Sequence, residues 1–255
     1  MTIAILGSGN VATQLAKTFA QNGHQIVQVY SKTSANAYAL ADVVKANGIS
    51  NLSELQVDAD LYLIAVSDTA IPQVIAEMPE IERGTVVHTS GATPIDVLSR
   101  FPKNGVIYPT QSINKQLDLK IGDVPFGIEA NSDQTLEKLT ALASSIAPHV
   151  FHCTSEQRLA LHIAAVLVNN FPNALYQMAQ EILEREKLDF KLLRPIIFET
   201  ANKVQNHLPA EVQTGPASRF DINTINRHLQ FLSYSNELTQ IYQYLTDFII
   251  KSRQK

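Results

Sequence analysis

Three stretches of this chain hold residues whose types and spacing can do chemistry. The first is Gly7-Ser8-Gly9-Asn10-Val11-Ala12, a G-x-G-x-x-A run between the apolar residues Ile3 to Leu6 and a helical pattern. In that context the first glycine permits a tight turn and the second lets a pyrophosphate approach the backbone. Ala12 lets the helix pack closely on a sheet. The free N–H groups and positive dipole end of the helix then attract phosphate oxygens. The chemistry is dinucleotide binding; a glycine turn without a ligand is the competing reading.

The second stretch lies at the end of the next apolar run. Enzymes that use NAD usually place an acid about 20 residues beyond the glycines, on the ribose 2′-OH. This chain has Ser31-Lys32-Thr33 there, two hydroxyls and a cation. That set suits a 2′-phosphate, so NADP is expected over NAD. A solvated loop lysine is the plain alternative, since Lys is a less exacting phosphate fork than Arg. Two later strand ends, Ala65-Val66-Ser67-Asp68 and His88-Thr89-Ser90-Gly91-Ala92, fall where ligands meet the carboxyl edge of such a sheet. Val66, Ser67, Asp68 and Ser90 are therefore expected to face the cofactor. Ser67 and Asp68 equally suit the cap of the helix containing Ile71.

The third stretch is His162 with Asn169 and Asn170, spaced two turns apart along one helical pattern. In a cleft, the imidazole can act as general acid and the asparagines can hold substrate oxygens. A hydrogen-bonded core histidine with helix–helix contacts has the same appearance. Tyr108 is a second proton-donor candidate, though a buried strand-end tyrosine is the commoner explanation. His149, His152 and Cys153 lack a carboxylate or second cysteine to complete a metal set, and no metal is expected.

The elements that must position these groups follow from periodicity. Apolar runs at 3–6, 26–30, 61–66 and 85–88, and less clearly at 106–108 and 126–129, alternate with helical patterns at 11–19, 37–44, 71–75 and 136–146. Alternation of this kind predicts a doubly wound parallel α/β sheet with right-handed crossovers. Beyond residue 152 the texture becomes all-helical. A Thr154/Gln157 capping box opens a helix running to about Lys187, and further helices are expected at about 190–207, 222–234 and 236–251. Leu159 to Val168 is apolar almost all round, which predicts burial. Pro172 predicts a kink or local opening. The expected domains are 1–152, binding the dinucleotide, and 153–255, helical and supplying the substrate pocket and dimer contacts.

With 255 residues, 45% hydrophobic and 17% charged, the chain can bury a sizeable core. Its net charge of −4 offers no global attraction to nucleic acid or anionic membrane. The single cysteine precludes an intramolecular disulfide, and no signal-like or membrane-spanning apolar stretch is seen, so a cytoplasmic protein is expected.

The segments Gly7 to Ala12, Ser31 to Thr33, Ala65 to Asp68 and His88 to Ala92 resemble those of candidate NADP oxidoreductases that join a Rossmann-like domain to a C-terminal domain of unknown function. Thr214-Gly215-Pro216-Ala217-Ser218-Arg219-Phe220-Asp221 is similar to that family's turn between helices. Tyr108-Pro109-Thr110-Gln111 resembles its His-Pro-x-Gln stretch, with Tyr in the His position. Wider relatives include pyrroline-5-carboxylate reductase, 6-phosphogluconate dehydrogenase, the β-hydroxyacid dehydrogenases and deazaflavin-dependent NADP reductases. The resemblance implies an all-α, 6-phosphogluconate-dehydrogenase-like C-terminal domain that closes over the nicotinamide, and a homodimer through its helices. In β-hydroxyacid dehydrogenases a Lys-x-x-Asn-Asn motif supplies a catalytic lysine. Aligning its asparagines on Asn169 and Asn170 puts Val166 in the lysine's place. The expected activity is hydride transfer between the nicotinamide and a small imine or carbonyl compound. Valine transfers no proton, so alcohol oxidation by the lysine route does not fit. The expectation leans toward C=N reduction, because an iminium already carries its charge. A non-catalytic NADP-binding sensor and a deazaflavin-linked reductase stand as the alternatives.

Overall fold

The computed structural model describes residues 1–113 and 121–254. The chain forms two compact units, Met1–Phe171 and Pro172–Lys255. The first is built on eight strands: β1 Thr2–Leu6, β2 Gln25–Tyr30, β3 Asn47–Ile49, β4 Leu61–Ile64, β5 Thr85–His88, β6 Asn104–Pro109, β7 Phe126–Ala130 and β8 Val150–His152. They lie in the order β3-β2-β1-β4-β5-β6-β7-β8. The direction of strand progression reverses between β1 and β4, and in doubly wound sheets the crevice at that reversal takes the ligand.

The central strands read as continuous apolar runs because both of their faces are covered. Ile3, Ile5, Leu61, Leu63, Val87 and Ile107 face one layer. That layer contains helices α1 (Asn10–Gln21), α2 (Ser34–Val44) and α4 (Asp133–Ser144), which bury Ala12, Leu15, Leu40 and Leu139 on it. Ala4, Leu6, Tyr62, Ile64 and Val86 point the other way and pack with Ile71, Val74 and Ile75 of α3 (Ile71–Glu77). The alternation of side chains along each strand thus divides one sheet between two cores.

The sheet is parallel from β3 to β6, but β7 pairs antiparallel with β6, and β8 follows β7. An all-parallel sheet is therefore corrected at this edge. Pro109 and Phe126 face each other across the β6–β7 pair, so the two strands run in opposite directions. The short strand β3 also goes beyond the sequence expectation. Helix α2 stops at Val44 with Lys45 left-handed at φ 57°, and Gly48 lies in β3 instead of ending the helix. A Cβ on Gly48 would sit 2.5 Å from the Tyr38 ring.

After β8 every described element is helical. Helix α5 (Ser155–Ala165) opens with the expected capping box, Thr154 accepting from the Gln157 N–H and Gln157 answering at the Thr154 N–H. It continues into a π-helical segment, Val166–Asn170, and then α6 (Phe171–Arg185). Pro172 has no N–H to offer the Val168 carbonyl, and the wider π turn absorbs that loss. The all-helical texture begins after His152, while the first compact unit extends to Phe171 because α5 packs with the sheet.

The expected burial of Leu159 to Val168 does not hold. Leu159, Ile163, Leu167 and Val168 are 41%, 54%, 55% and 76% exposed. The only buried residue of α5 is Arg158. A helix apolar on several faces needs a neighbour on each, and one face of α5 is spent on a buried cation instead. In the second unit α7 (Arg194–Lys203), α8 (Ile222–Leu232) and α9 (Asn236–Arg253) follow. Among its described residues only Ala217, Ile225, Leu232 and Thr246 are buried.

Candidate functional site

At the carboxyl ends of β1 and β4 the glycine-rich turn adopts the conformation its sequence predicts. Gly7 has φ 132°, and a side chain there would collide with the Ala65 carbonyl oxygen. Around the Cβ position of Gly9, by contrast, nothing lies within 4 Å. Gly9 N-caps α1 without any side-chain cap hydrogen bond, and Ala12 is fully buried against the sheet. The turn therefore leaves open space directly in front of helix N–H groups, the arrangement that suits a pyrophosphate.

Two cavities flank this turn. One, of 390 Å³, is lined by Gly7, Ser8, Tyr30, Ser31, Lys32, Val66, Gln73 and Glu77, among others. Ser8 Oγ donates to Ser31 Oγ at 2.9 Å, which joins the glycine turn to the end of β2. Lys32 is exposed at the rim, and Thr33 occupies the N-cap of α2 without a side-chain cap bond. Glu77, outside the sequence expectations, brings a carboxylate to the same cavity and accepts from Gln73 Nε2 at 2.9 Å.

The other cavity, of 400 Å³, is lined by Gly9, Asn10, Val11, Val66, Ser67, Asp68, Ser90, Gly91, Tyr108, Gln111 and His162, with neighbours from the same strand ends. Ser67 stands at the cap position of the 3₁₀ turn Asp68–Ala70 but makes no side-chain cap bond. Ser90 is buried, and its hydroxyl accepts from the N–H groups of Ala92 at 3.1 Å and Thr93 at 2.8 Å. That bonding holds the turn after β5 in shape.

A third cavity, of 430 Å³, adjoins the second. It is lined by Tyr108, Thr110, Gln111, Ser112, Leu161, His162, Ala164, Ala165, Val166, Val168, Asn169 and Asn170. Tyr108, Gln111 and His162 line both. His162, Asn169 and Asn170, spaced on the sequence as one face, therefore reach a common cavity despite the π-helical insertion between them. Among the described residues its lining carries no carboxylate, lysine or arginine.

Tyr108 and His162 meet where these cavities join. The phenol oxygen lies 3.2 Å from His162 Nδ1, and the two rings stand edge to face. Burial pushes the Tyr108 phenol upward, partly opposed by the Arg158 guanidinium, so the hydroxyl stays protonated well above neutrality. The imidazole rests on the turn after β5, where a Cβ on Gly91 would fall 2.6 Å from His162 Cγ.

Beneath the pair lies a polar cluster absent from the sequence expectations. Arg158 is fully buried, with Nε donating to the Ser90 carbonyl at 3.1 Å and Nη2 to the Thr93 carbonyl and to Ser155 Oγ at 3.3 Å. Nη1 forms a salt bridge with Glu129 of β7. Glu129 also accepts from the Ser155 N–H at 2.9 Å. No local signal exposes this cluster: Arg158 follows Glu156 and Gln157 in the first turn of α5, where a solvated cation is the ordinary reading. Nearby, His88 is fully buried, and its Nδ1 accepts from the Ser90 N–H at 3.2 Å. Burial and the Arg158 charge lower its pKa to about 4, against weaker opposing pulls from the Pro94 carbonyl and Asp68.

Other sequence candidates do different things. Cys153 packs against Gly127, and burial raises its thiol. In the segment Thr214 to Asp221, Gly215 and Phe220 take positive φ, and Asp221 caps α8 by accepting from Thr224 N–H at 3.1 Å and Oγ1 at 2.8 Å. Among the described residues no ion pair joins Arg219 to Asp221, and no group of three His, Cys, Asp or Glu side chains is placed to hold a metal. No helix in the described residues is long and apolar enough to cross a membrane.

With this geometry in view, comparison with known families is specific. Residues 2–90 match the coenzyme F420-dependent NADP oxidoreductase model, and residues 124–249 match a domain of unknown function, DUF2520. A protein of Bacteroides fragilis described as a candidate NADP oxidoreductase is 37% identical, with 98% of each chain covered and a TM-score of 0.90. A reductive aminase of Aspergillus terreus, in complex with NADPH and ethyl-5-oxohexanoate, shares the fold at 13% identity, covering 98% of this chain and 94% of that one, with a TM-score of 0.73. An imine reductase of Myxococcus stipitatus, in complex with NADP+, does so at 17% identity, covering 100% and 93%, with a TM-score of 0.62. Curated proteins give no match. The chain belongs to the NADP oxidoreductase family in which a Rossmann domain is followed by a DUF2520 domain.

Proposed function

We propose that the protein is an NADP-dependent reductase of a small imine or carbonyl compound. The observation that carries this reading is the sharing of Tyr108, Gln111 and His162 between two cavities. One of these lies along the glycine-rich turn and the other under Asn169 and Asn170. A dinucleotide held along the first brings its reactive end to the second, whose 430 Å³ suits a small ligand.

Gly7 to Ala12 hold the pyrophosphate, with Val66, Ser67, Asp68 and Ser90 along its path toward the nicotinamide. Ser31, Lys32 and Thr33 receive the 2′-phosphate, and Ser8 braces Ser31 for it. When bound, the reduced cofactor supplies a hydride to an electrophilic carbon. The chain supplies position and a proton. Asn169 and Asn170 orient the substrate through its polar atoms. The Tyr108 hydroxyl, hydrogen-bonded to His162, is the proton source for the substrate heteroatom, and His162 restores that proton from solvent. An iminium already carries its positive charge, so its reduction depends least on that acid. The absence of a lysine at Val166 is consistent with this preference.

Within the first unit the exposed residues Leu159, Ile163, Leu167 and Phe171 recur every fourth position and support a homodimer through this stretch of helix. Nothing in the charge balance calls for a nucleic acid or membrane partner, and a cytoplasmic location is the corresponding expectation.

The test is calorimetric titration with NADPH and NADH at one salt concentration, followed by NADPH oxidation with 1-pyrroline, a cyclic imine, and with simple ketones. Preferential NADPH binding and turnover of the imine support the proposal. Binding of neither nucleotide removes it.

A further inference from the structure

Among the described residues the His162 side chain bonds to Tyr108 alone, and it rests on a glycine turn. One helical turn earlier, at i−4 on the same face, stands Arg158. Its guanidinium reaches two carbonyls of the turn on which His162 rests, Ser90 and Thr93, and the carboxylate of Glu129. Ser155 closes the set, its hydroxyl donating to Glu129 and accepting from the Ile95 N–H at 3.0 Å.

We infer that Arg158 and Glu129 are positioning residues, which fix α5 against the turn after β5 and thereby set the His162–Tyr108 distance. The argument is geometric. Tyr108 belongs to β6, Glu129 to β7, Ser90 and Gly91 to the turn after β5, and His162 to α5. One buried cation ties three of those four elements together, and the hydrogen bond between His162 and Tyr108 ties in the fourth. The planar fork of arginine satisfies several acceptors at fixed angles, which a lysine cannot reproduce. Leu159 and Ile163, the apolar neighbours on this helix, are too exposed to supply the same restraint. Arg158 itself is absent from the lining of all three cavities, so its effect on reaction passes through His162 and Tyr108.

The proposal rests on the reductase reading for its kinetic arm, but its structural arm stands alone. Arg158→Lys and Glu129→Gln are compared with the unaltered protein. In the nitrogen-15 spectrum of His162, the unaltered protein is expected to show two distinct ring nitrogens, the mark of one fixed tautomer. Both variants are expected to show those signals drawn toward a common average. With 1-pyrroline as probe, Arg158→Lys is expected to lower kcat about 100-fold, as a displaced reacting group would. KM and the NADPH dissociation constant are expected to stay within about threefold. A His162 spectrum unchanged in both variants overturns the inference, as does a loss of NADPH binding equal to the loss in kcat. Should Arg158→Lys fail to fold, Glu129→Gln decides, provided its circular dichroism matches the unaltered protein. Should that also fail, Ser155→Ala decides, since it removes one acceptor of the guanidinium and leaves the buried ion pair intact. No turnover of 1-pyrroline by the unaltered protein would count against the substrate reading alone, leaving the spectrum to judge the clamp.

Discussion

Gly91 is the floor under His162: any Cβ at that position would lie 2.6 Å from the imidazole Cγ and 2.7 Å from Nδ1. The only relief is a shift of His162 or of the turn, because both contacts involve the ring itself. Gly91→Ala is therefore expected to lower turnover by about 10- to 100-fold, as a displacement near 1 Å does. NADPH affinity, measured by calorimetry, should fall much less, because the glycines at 7 and 9 are untouched. Equal losses in both would assign Gly91 to cofactor binding instead.

Cofactor choice turns on two opposed charges in one cavity. Lys32→Ala should weaken NADPH binding about tenfold, the value of one charge-assisted hydrogen bond of roughly 1.5 kcal/mol, and leave NADH unaffected. Glu77→Gln removes a carboxylate from the same cavity and should tighten NADPH at low salt. Titrations of both variants against both nucleotides check the pair of signs.

His88 makes stability depend on acid. Its folded pKa of about 4 lies below the unfolded value of 6.5, so the native state holds the neutral ring. The stabilisation is fully present above pH 6.5 and is lost as pH falls from there toward 4. The shift corresponds to roughly 3 kcal/mol over that window. Urea unfolding of His88→Leu should show a shallower decline between pH 7 and 4 than the unaltered protein, with carboxylates accounting for the remainder.

The exposed row along the long helix should be covered by a second copy of the chain. Sedimentation of the unaltered protein at micromolar concentration is expected to report a dimer. Leu167→Glu, which puts a charge at the middle of the row, should shift it toward monomer. A monomeric unaltered protein would remove the dimer from the proposal.

Much of this site is written in local patterns. The G-x-G-x-x-A run declares its own turn, because only glycine accepts the φ of position 7 and the contact with Ala65. The apolar runs of β1 and β4 declare a covered sheet. The Thr154/Gln157 box marks the start of α5 without any tertiary information. What local pattern could not convey is pairing between distant elements. Glu129 and Arg158 are unremarkable singly, and their significance comes from the antiparallel pairing of β6 with β7, which sets them together. The reversal itself was hidden, since a strand's direction leaves no mark on its composition. Hydrophobicity also misled: Leu159 to Val168 looks like a buried span, yet its faces are exposed within the chain because apolar residues record that a surface is to be covered and not what covers it.

The reversal of β7 and β8 turns helix α5 into a ruler. From the cap at Thr154 to the ring-bearing His162 the chain advances eight residues, which at about 1.5 Å each is some 12 Å of rigid rod. One end is pinned at Glu129 through Ser155, and the other must arrive at Tyr108. A loop could absorb an inserted residue; this rod would rotate by roughly 100° and aim His162 away from the cavity. Length variation should therefore be tolerated in the connection after residue 185, while the span between the cap and His162 admits changes of side chain but not of count.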